Sequence, residues 1–118
     1  MELINEYLAD GIEKISLSGR LDSAGADQIG LRFAGLTATR PALIVVDLSQ
    51  VSFLASIGIR MLLSNAKALE RRGGRMVLAG LPAIVEEVLK VAGIDALIPL
   101  YADVGSACAG LKTAAETQ

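Results

Sequence analysis

The sequence predicts an α/β fold: a single domain on a mixed, mainly parallel β-sheet, with elements in the order β-β-α-β-α-β-α-β-α. Three observations point there. Short β-branched apolar runs alternate with stretches of helical period, which implies parallel pairing through right-handed crossovers. The first two runs are joined by a tight turn, which implies one antiparallel hairpin. The connections are short, and 118 residues with 53% hydrophobic content suit one compact core. Aromatic residues supply only 3%, so Leu, Ile, Val and Ala are expected to fill that core.

Residues 2–8 read as the first strand, and Ala9-Asp10-Gly11 as the hairpin turn. The return strand, 12–18, alternates: Ile15 and Leu17 face one way, Lys14, Ser16 and Ser18 the other, so one side should be wet. Asp22 or Ser23 can cap the first helix, where Ala26, Ile29, Phe33 and Leu36 recur at helical spacing until Arg40-Pro41 stops it. The run 42–48, Ala-Leu-Ile-Val-Val-Asp-Leu, suits a central strand buried on both faces.

Residues 56–71 read as an amphipathic helix. Ile59, Leu62, Leu63, Ala66 and Leu69 form its apolar stripe, with Arg60, Ser64, Lys67 and Arg71 opposite. Gly73-Gly74 ends it, and Arg75–Ala79 makes a short strand. Pro82 fits a first helical position, after which Val85, Val88, Leu89 and Ala92 face inward until Gly93. Ala96–Leu100 reads as a last strand, placed at an edge by Pro99. Asp103 should cap a final helix with Val104, Ala107, Cys108 and Leu111 on its core face. The domain spans 1–118, with 112–118 expected to fray.

Composition narrows the function. With 11 basic against 13 acidic residues the net charge is −2, so no basic face is expected to displace phosphate counterions from nucleic acid. Met1–Glu6 is acidic where a signal peptide would be basic, and no apolar run reaches the ~20 residues of a membrane span. Cys108 is the single cysteine, which agrees with a reducing cytoplasm. The chain has no histidine, which removes the usual general base, the commonest metal ligand and every Ser-His or Cys-His dyad. The expectation is a non-enzymatic cytoplasmic protein that needs no metal and no cofactor.

The stretch Val45-Val46-Asp47-Leu48-Ser49-Gln50-Val51-Ser52-Phe53-Leu54-Ala55-Ser56-Ile57-Gly58-Ile59-Arg60 resembles the signature of the STAS family. That signature is a buried strand ending in Asp-Leu-Ser, a short apolar loop, then a hydroxyl and a glycine opening a helix. Gly19-Arg20-Leu21-Asp22 is similar to the family's Gly-x-Leu-Asp before its first helix, and Gly73-Gly74 and Val91-Ala92-Gly93 stand at later boundaries. The resemblance implies helices gathered on one side of the sheet.

It also implies an anti-sigma-factor antagonist. Such a protein binds an anti-sigma factor that doubles as a serine kinase, is released when phosphorylated, and is reset by a serine phosphatase. Other relatives are constitutive adaptors, as subunits of transport complexes or as stress-signalling scaffolds. The best-known site pattern is Asp-Ser-Ser/Thr-Gly, and here Ala55 replaces the aspartate and Ile57 the usual phosphoacceptor. Another group of relatives has Ser-Ser-Ala-Gly-Leu-Arg, which Ala-Ser-Ile-Gly-Ile-Arg matches closely. The resemblance thus assigns phosphoacceptance to Ser56, with Ser52 as second choice.

Each candidate has a plainer reading. Ser56 also fits a helix N-cap, worth ~1 kcal/mol. A phosphate there would bring about −1.5 to −2 charges to a helix N-terminus, which favours anions, and Arg60 one turn along can lean toward it. In a mostly apolar interface an unpaired dianion costs several kcal/mol, enough to release a micromolar partner. Ile57 and Met61 are candidates for the docking patch, or else ordinary core. Asp22 reads first as a cap; Asp47, ending the central strand, is expected near Ser56 and Gly58.

Leu54-Ala55-Ser56-Ile57-Gly58 has the setting of a nucleophile elbow but lacks its first glycine, and the chain has no histidine. Cys108 reads as packing and Glu86-Glu87 as a solvated face. The hairpin strand leaves an edge on which a homodimer could form.

Overall fold

The computed structural model describes residues 1–38 and 41–116. Strand β1 (Glu2–Tyr7) and β2 (Ile12–Leu21) form the antiparallel hairpin, turned at Ala9–Gly11, where Asp10 and Gly11 both take left-handed backbone. Helix α1 (Ser23–Ala38) leads to β3 (Leu43–Leu54), α2 (Ser56–Arg71), β4 (Arg75–Ala79), α3 (Ala83–Val91), β5 (Leu100–Tyr101) and α4 (Val104–Glu116). The sheet order is β1-β2-β3-β4-β5, with every pair after the hairpin parallel. The expected element order holds. Arg40 lies outside the described residues, and α1 is followed to Ala38.

Two apolar layers flank the sheet. Ile15, Leu17, Ile44, Val46 and Leu78 meet Phe33 of α1, Leu62 and Leu69 of α2, and Val85 and Leu89 of α3. On the other face Ile12, Val45, Val77 and Ala79 meet Ala107 and Leu111 of α4. The central strand is therefore buried on both sides, as its unbroken apolar run implied. Helices gather on one face for α1 to α3 only; α4 crosses to the other because Ile12, Val45 and Val77 leave an apolar surface there. The supposedly wet side of β2 is consequently half-covered, with Lys14, Ser16 and Ser18 of intermediate exposure and Ile12 buried.

Several boundaries depart from the sequence reading. The last strand is short: Gly93 turns the chain into a 3-10 turn over Ile94–Ala96, Ile98 donates its N–H back to the Ile94 carbonyl, and pairing with β4 begins only at Leu100. It does lie at an edge, as Pro99 predicted. Pro82 sits at the N-cap of α3, one residue before the predicted position, and Ala92 is exposed rather than inward. Helix α4 continues through Glu116 into the segment expected to fray; residues 117 and 118 lie outside the described residues. Asp103 caps it as expected, accepting the Ser106 N–H at 2.7 Å.

The largest departure is in β3, which runs six residues past the predicted end at Leu48. Against β2 it gains one residue at each of two irregularities, between Ser16 and Ser18 and between Gly19 and Arg20. Each bulge shifts the facing of the next side chains. Leu48, Val51 and Leu54 thus stay buried at a spacing of three, while Ser49, Gln50, Ser52 and Phe53 are exposed. Strand β4 pairs with β3 only over Leu43–Asp47, so the ends of β2 and β3 project beyond it and carry the start of α2 at their tip.

Candidate functional site

The tip is built around the end of β2. The Leu21 carbonyl accepts the Ala55 N–H at 3.0 Å, joining the strand end to the residue that precedes α2. A Cβ at Gly58 would lie 2.6 Å from Leu21 Cγ and 2.7 Å from its carbonyl oxygen, so only glycine lets the first turn of α2 rest there. Gly25 sits against the Arg20 carbonyl oxygen in the same way, which brings α1 onto the same strand end. The two helices are clipped further along: the buried Thr37 hydroxyl donates to Asn65 Oδ1 at 3.0 Å, and Asn65 Nδ2 donates to the Met61 carbonyl at 2.8 Å.

Ser56 is the first residue of α2 and is exposed. The N-cap is Ala55, in extended backbone, and its carbonyl accepts the Ile59 N–H at 3.1 Å. The N-cap reading of Ser56 is thereby replaced. Its hydroxyl makes no hydrogen bond among the described residues, and the first turn holds no acidic residue. A helix start of this kind presents free N–H groups and a partial positive charge. Ile57 beside it is 39% exposed. Met61 is half-buried and packs partly on the core, so the two flank the tip unequally. Arg60 is exposed, and Ser52 is exposed at the second bulge of β3.

Asp22 is the cap of α1. Its Oδ1 accepts the Gly25 N–H at 2.9 Å, and Arg20 Nε lies 3.4 Å from Oδ2. The Gly25 N–H, with Arg20 adding to it, holds this carboxyl below its ordinary value of 3.8. Arg20 also lies over the Phe53 ring, 4.2 Å from its centroid. The sequence reading gave neither residue a part at the tip. Phe53 is 37% exposed; it is one of only two phenylalanines and follows the polar residues Ser49, Gln50 and Ser52, which is the signal that would have marked it.

Asp47 does not join this group. It pairs with Ser16 and Ala79 in mid-strand, and the seven residues to Leu54 span roughly 20 Å at the usual rise per residue. Its Oδ1 accepts the Ser49 N–H at 2.9 Å and lies against Gly80, where a Cβ would come within 3.0 Å, so it braces the first bulge. The expectation that it neighbours Ser56 fails because β3 is longer than its alternation suggests.

Among the described residues no group of three or more His, Cys, Asp or Glu side chains comes together. Nor is any helix long and apolar enough to cross a membrane. Burial pushes the half-buried Cys108 thiol up from its ordinary value of 9.0, which fits packing better than nucleophilic work. A cleft of about 510 Å³ opens at the other end of β3, near Leu43, Gly74 and Arg75, and includes none of the residues at the tip. No side chain among the described residues hydrogen-bonds to the Ser56 hydroxyl, which is an accessible alcohol.

A mixed sheet with α1 to α3 on one face, and a hydroxyl and a close-packed glycine opening α2 from the central strand, defines a class. The STAS domain family model matches residues 5–107, and the chain belongs to that family. BtrV of Bordetella bronchiseptica, which carries the name of an anti-sigma factor antagonist, is 31% identical over 105 residues, covering 89% of this chain and 90% of BtrV. The structure of an anti-sigma factor antagonist from Mycobacterium paratuberculosis aligns with a TM-score of 0.85 at 25% identity, over 94% of this chain and 93% of that one. Unphosphorylated SpoIIAA, likewise described as an anti-sigma factor antagonist, shares the fold with a TM-score of 0.78 at 21% identity, over 95% and 97% of the two chains.

Proposed function

We propose that this chain is an anti-sigma-factor antagonist: a cytoplasmic docking protein, not an enzyme, that binds an anti-sigma factor with serine kinase activity. Phosphorylation of Ser56 switches the docking, and a serine phosphatase restores it. In the kinase step the γ-phosphoryl group of ATP passes to Ser56 Oγ, ADP leaves, and the hydroxyl proton is released. The observation that carries the reading is the exposure of Ser56 at the head of α2, beside the half-open Ile57. The names of the relatives in this family supply the class of partner.

The switch is local. A dianion at this helix start is favoured by the dipole and leaves the fold alone, whereas against a closely apposed partner it has to be desolvated. Intact mass spectrometry after incubation with the cognate kinase and ATP tests it. One added phosphate is expected on the wild type and none on Ser56→Ala. The same addition on Ser56→Ala moves the site, with Ser52 next.

One observation favours a second reading, a constitutive adaptor in a transport complex or stress scaffold: Ala55 and Ile57 stand where the best-known family pattern has an acid and a hydroxyl. That reading expects no mass change, and partner capture that is indifferent to Ser56→Asp.

A further inference from the structure

We infer that Arg60 is the intrachain counter-ion for a phosphate on Ser56, and that the switch consequently has two coupled halves. This rests on Ser56 being the phosphoacceptor. The two residues are four apart on α2, so their side chains are neighbours on one face. A helical side chain leans over the turn that precedes its own Cα, which carries the Arg60 fork toward Ser56. Both residues are exposed, so pairing needs no repacking.

The other arginine near the tip is already engaged. Arg20 holds Asp22 through Nε and lies over Phe53. Arg60 makes no ion pair or side-chain hydrogen bond among the described residues, and no acid in the first turn competes for it. Its planar fork suits the oxygens of a phosphate better than a point charge would.

Before modification, Arg60 stands free beside Ile57 and is available to a carboxylate on the docked partner. After modification the phosphate captures it. A single event then adds about two negative charges and withdraws one positive contact. Arg60 is a positioning residue for the switch; the phosphoryl transfer does not require it.

The test uses the full chain with phosphoserine installed at position 56 during synthesis, so it does not depend on any kinase. The phosphate is titrated by 31P NMR in the wild type, Arg60→Ala and Arg60→Lys. The second pKa of free phosphoserine lies near ~6. Loss of Arg60 is expected to raise it by about 0.3 unit, and lysine to restore about half of that. Superimposed curves for wild type and Arg60→Ala overturn the pairing.

The second arm measures affinity for the anti-sigma kinase with and without the phosphate. Arg60→Ala is expected to weaken the unmodified complex about threefold and to shrink the further loss on phosphorylation by a similar factor. An unchanged ratio overturns the exchange. Failure of the phosphoacceptor reading would register separately, as an unmodified mass after kinase treatment of the ordinary chain.

Discussion

At the scale of single residues, the tip depends on contacts that tolerate little change. Gly58 has Leu21 on one side and Leu54 Cδ1 at 3.0 Å from a would-be Cβ. Gly58→Ala must either push α2 outward or displace Leu21, an overpacking cost of about 1–3 kcal/mol. A fall in melting temperature of several degrees is expected in calorimetry, and an unchanged melt would mean that α2 does not rest on Leu21 as described. Asp22 gives a pH signature. Its folded pKa is depressed, so its contribution is present above the unfolded value and is lost as pH falls through the folded one. Asp22→Ala should therefore melt below the wild type near neutrality, with the gap closing in strongly acidic solution. A gap that persists at the lowest attainable pH would remove the Gly25 N–H and Arg20 as its cause.

At the scale of elements, the legible parts were those whose side chains follow one period. The hairpin showed in the alternation of Lys14 to Ser18 and in Asp10-Gly11, and α2 in the spacing of Leu62, Ala66 and Leu69. The second half of β3 was not legible. Its two bulges convert alternation into the three-residue spacing of Leu48, Val51 and Leu54, which reads as a loop when neither helix nor strand period fits. Asp47 was misplaced for the same reason, whereas Ser56 was correctly put at a helix start because glycine and hydroxyl mark that boundary locally. Pairings between elements were invisible. The Thr37–Asn65 bond clips α1 to α2 through two residues unremarkable in sequence. Asn65→Ala breaks that bond but leaves the Thr37 hydroxyl within 3.2 Å of the Phe33 carbonyl, so a modest loss of about 0.5–1.5 kcal/mol in urea denaturation is expected. A loss several times larger would show that the clip organises more than two helices.

At the scale of the whole molecule, the sheet separates the layers that carry stability from the tip proposed for docking. The layer beneath α4, of Ile12, Val45, Val77 and Ala79, is reached from the face opposite α2 and has no residue at the tip. The upper layer is anchored by fully buried Phe33, Leu62, Leu69 and Leu89, whereas Ser56, Ile57 and Arg60 lie outside it. Placing a phosphate on Ser56 therefore adds charge where no buried contact has to yield, and the helix dipole favours it by roughly 0.3–1 kcal/mol. The arm Arg32 extends to β1, donating to the Leu3 carbonyl at 2.8 Å and to Asn5 Oδ1 at 3.0 Å, lies on the far side of α1 and should not sense the change. The expected outcome is a melting temperature equal to or slightly above that of the unmodified chain. Amide shift changes should be confined to residues 20–22 and 52–61, and hydrogen-exchange protection at Val45 and Val77 should be unaltered. A lowered melt, or shifts spreading into α4, would mean that the phosphate acts by loosening the core, and that release of the partner is conformational rather than a matter of charge at one exposed turn.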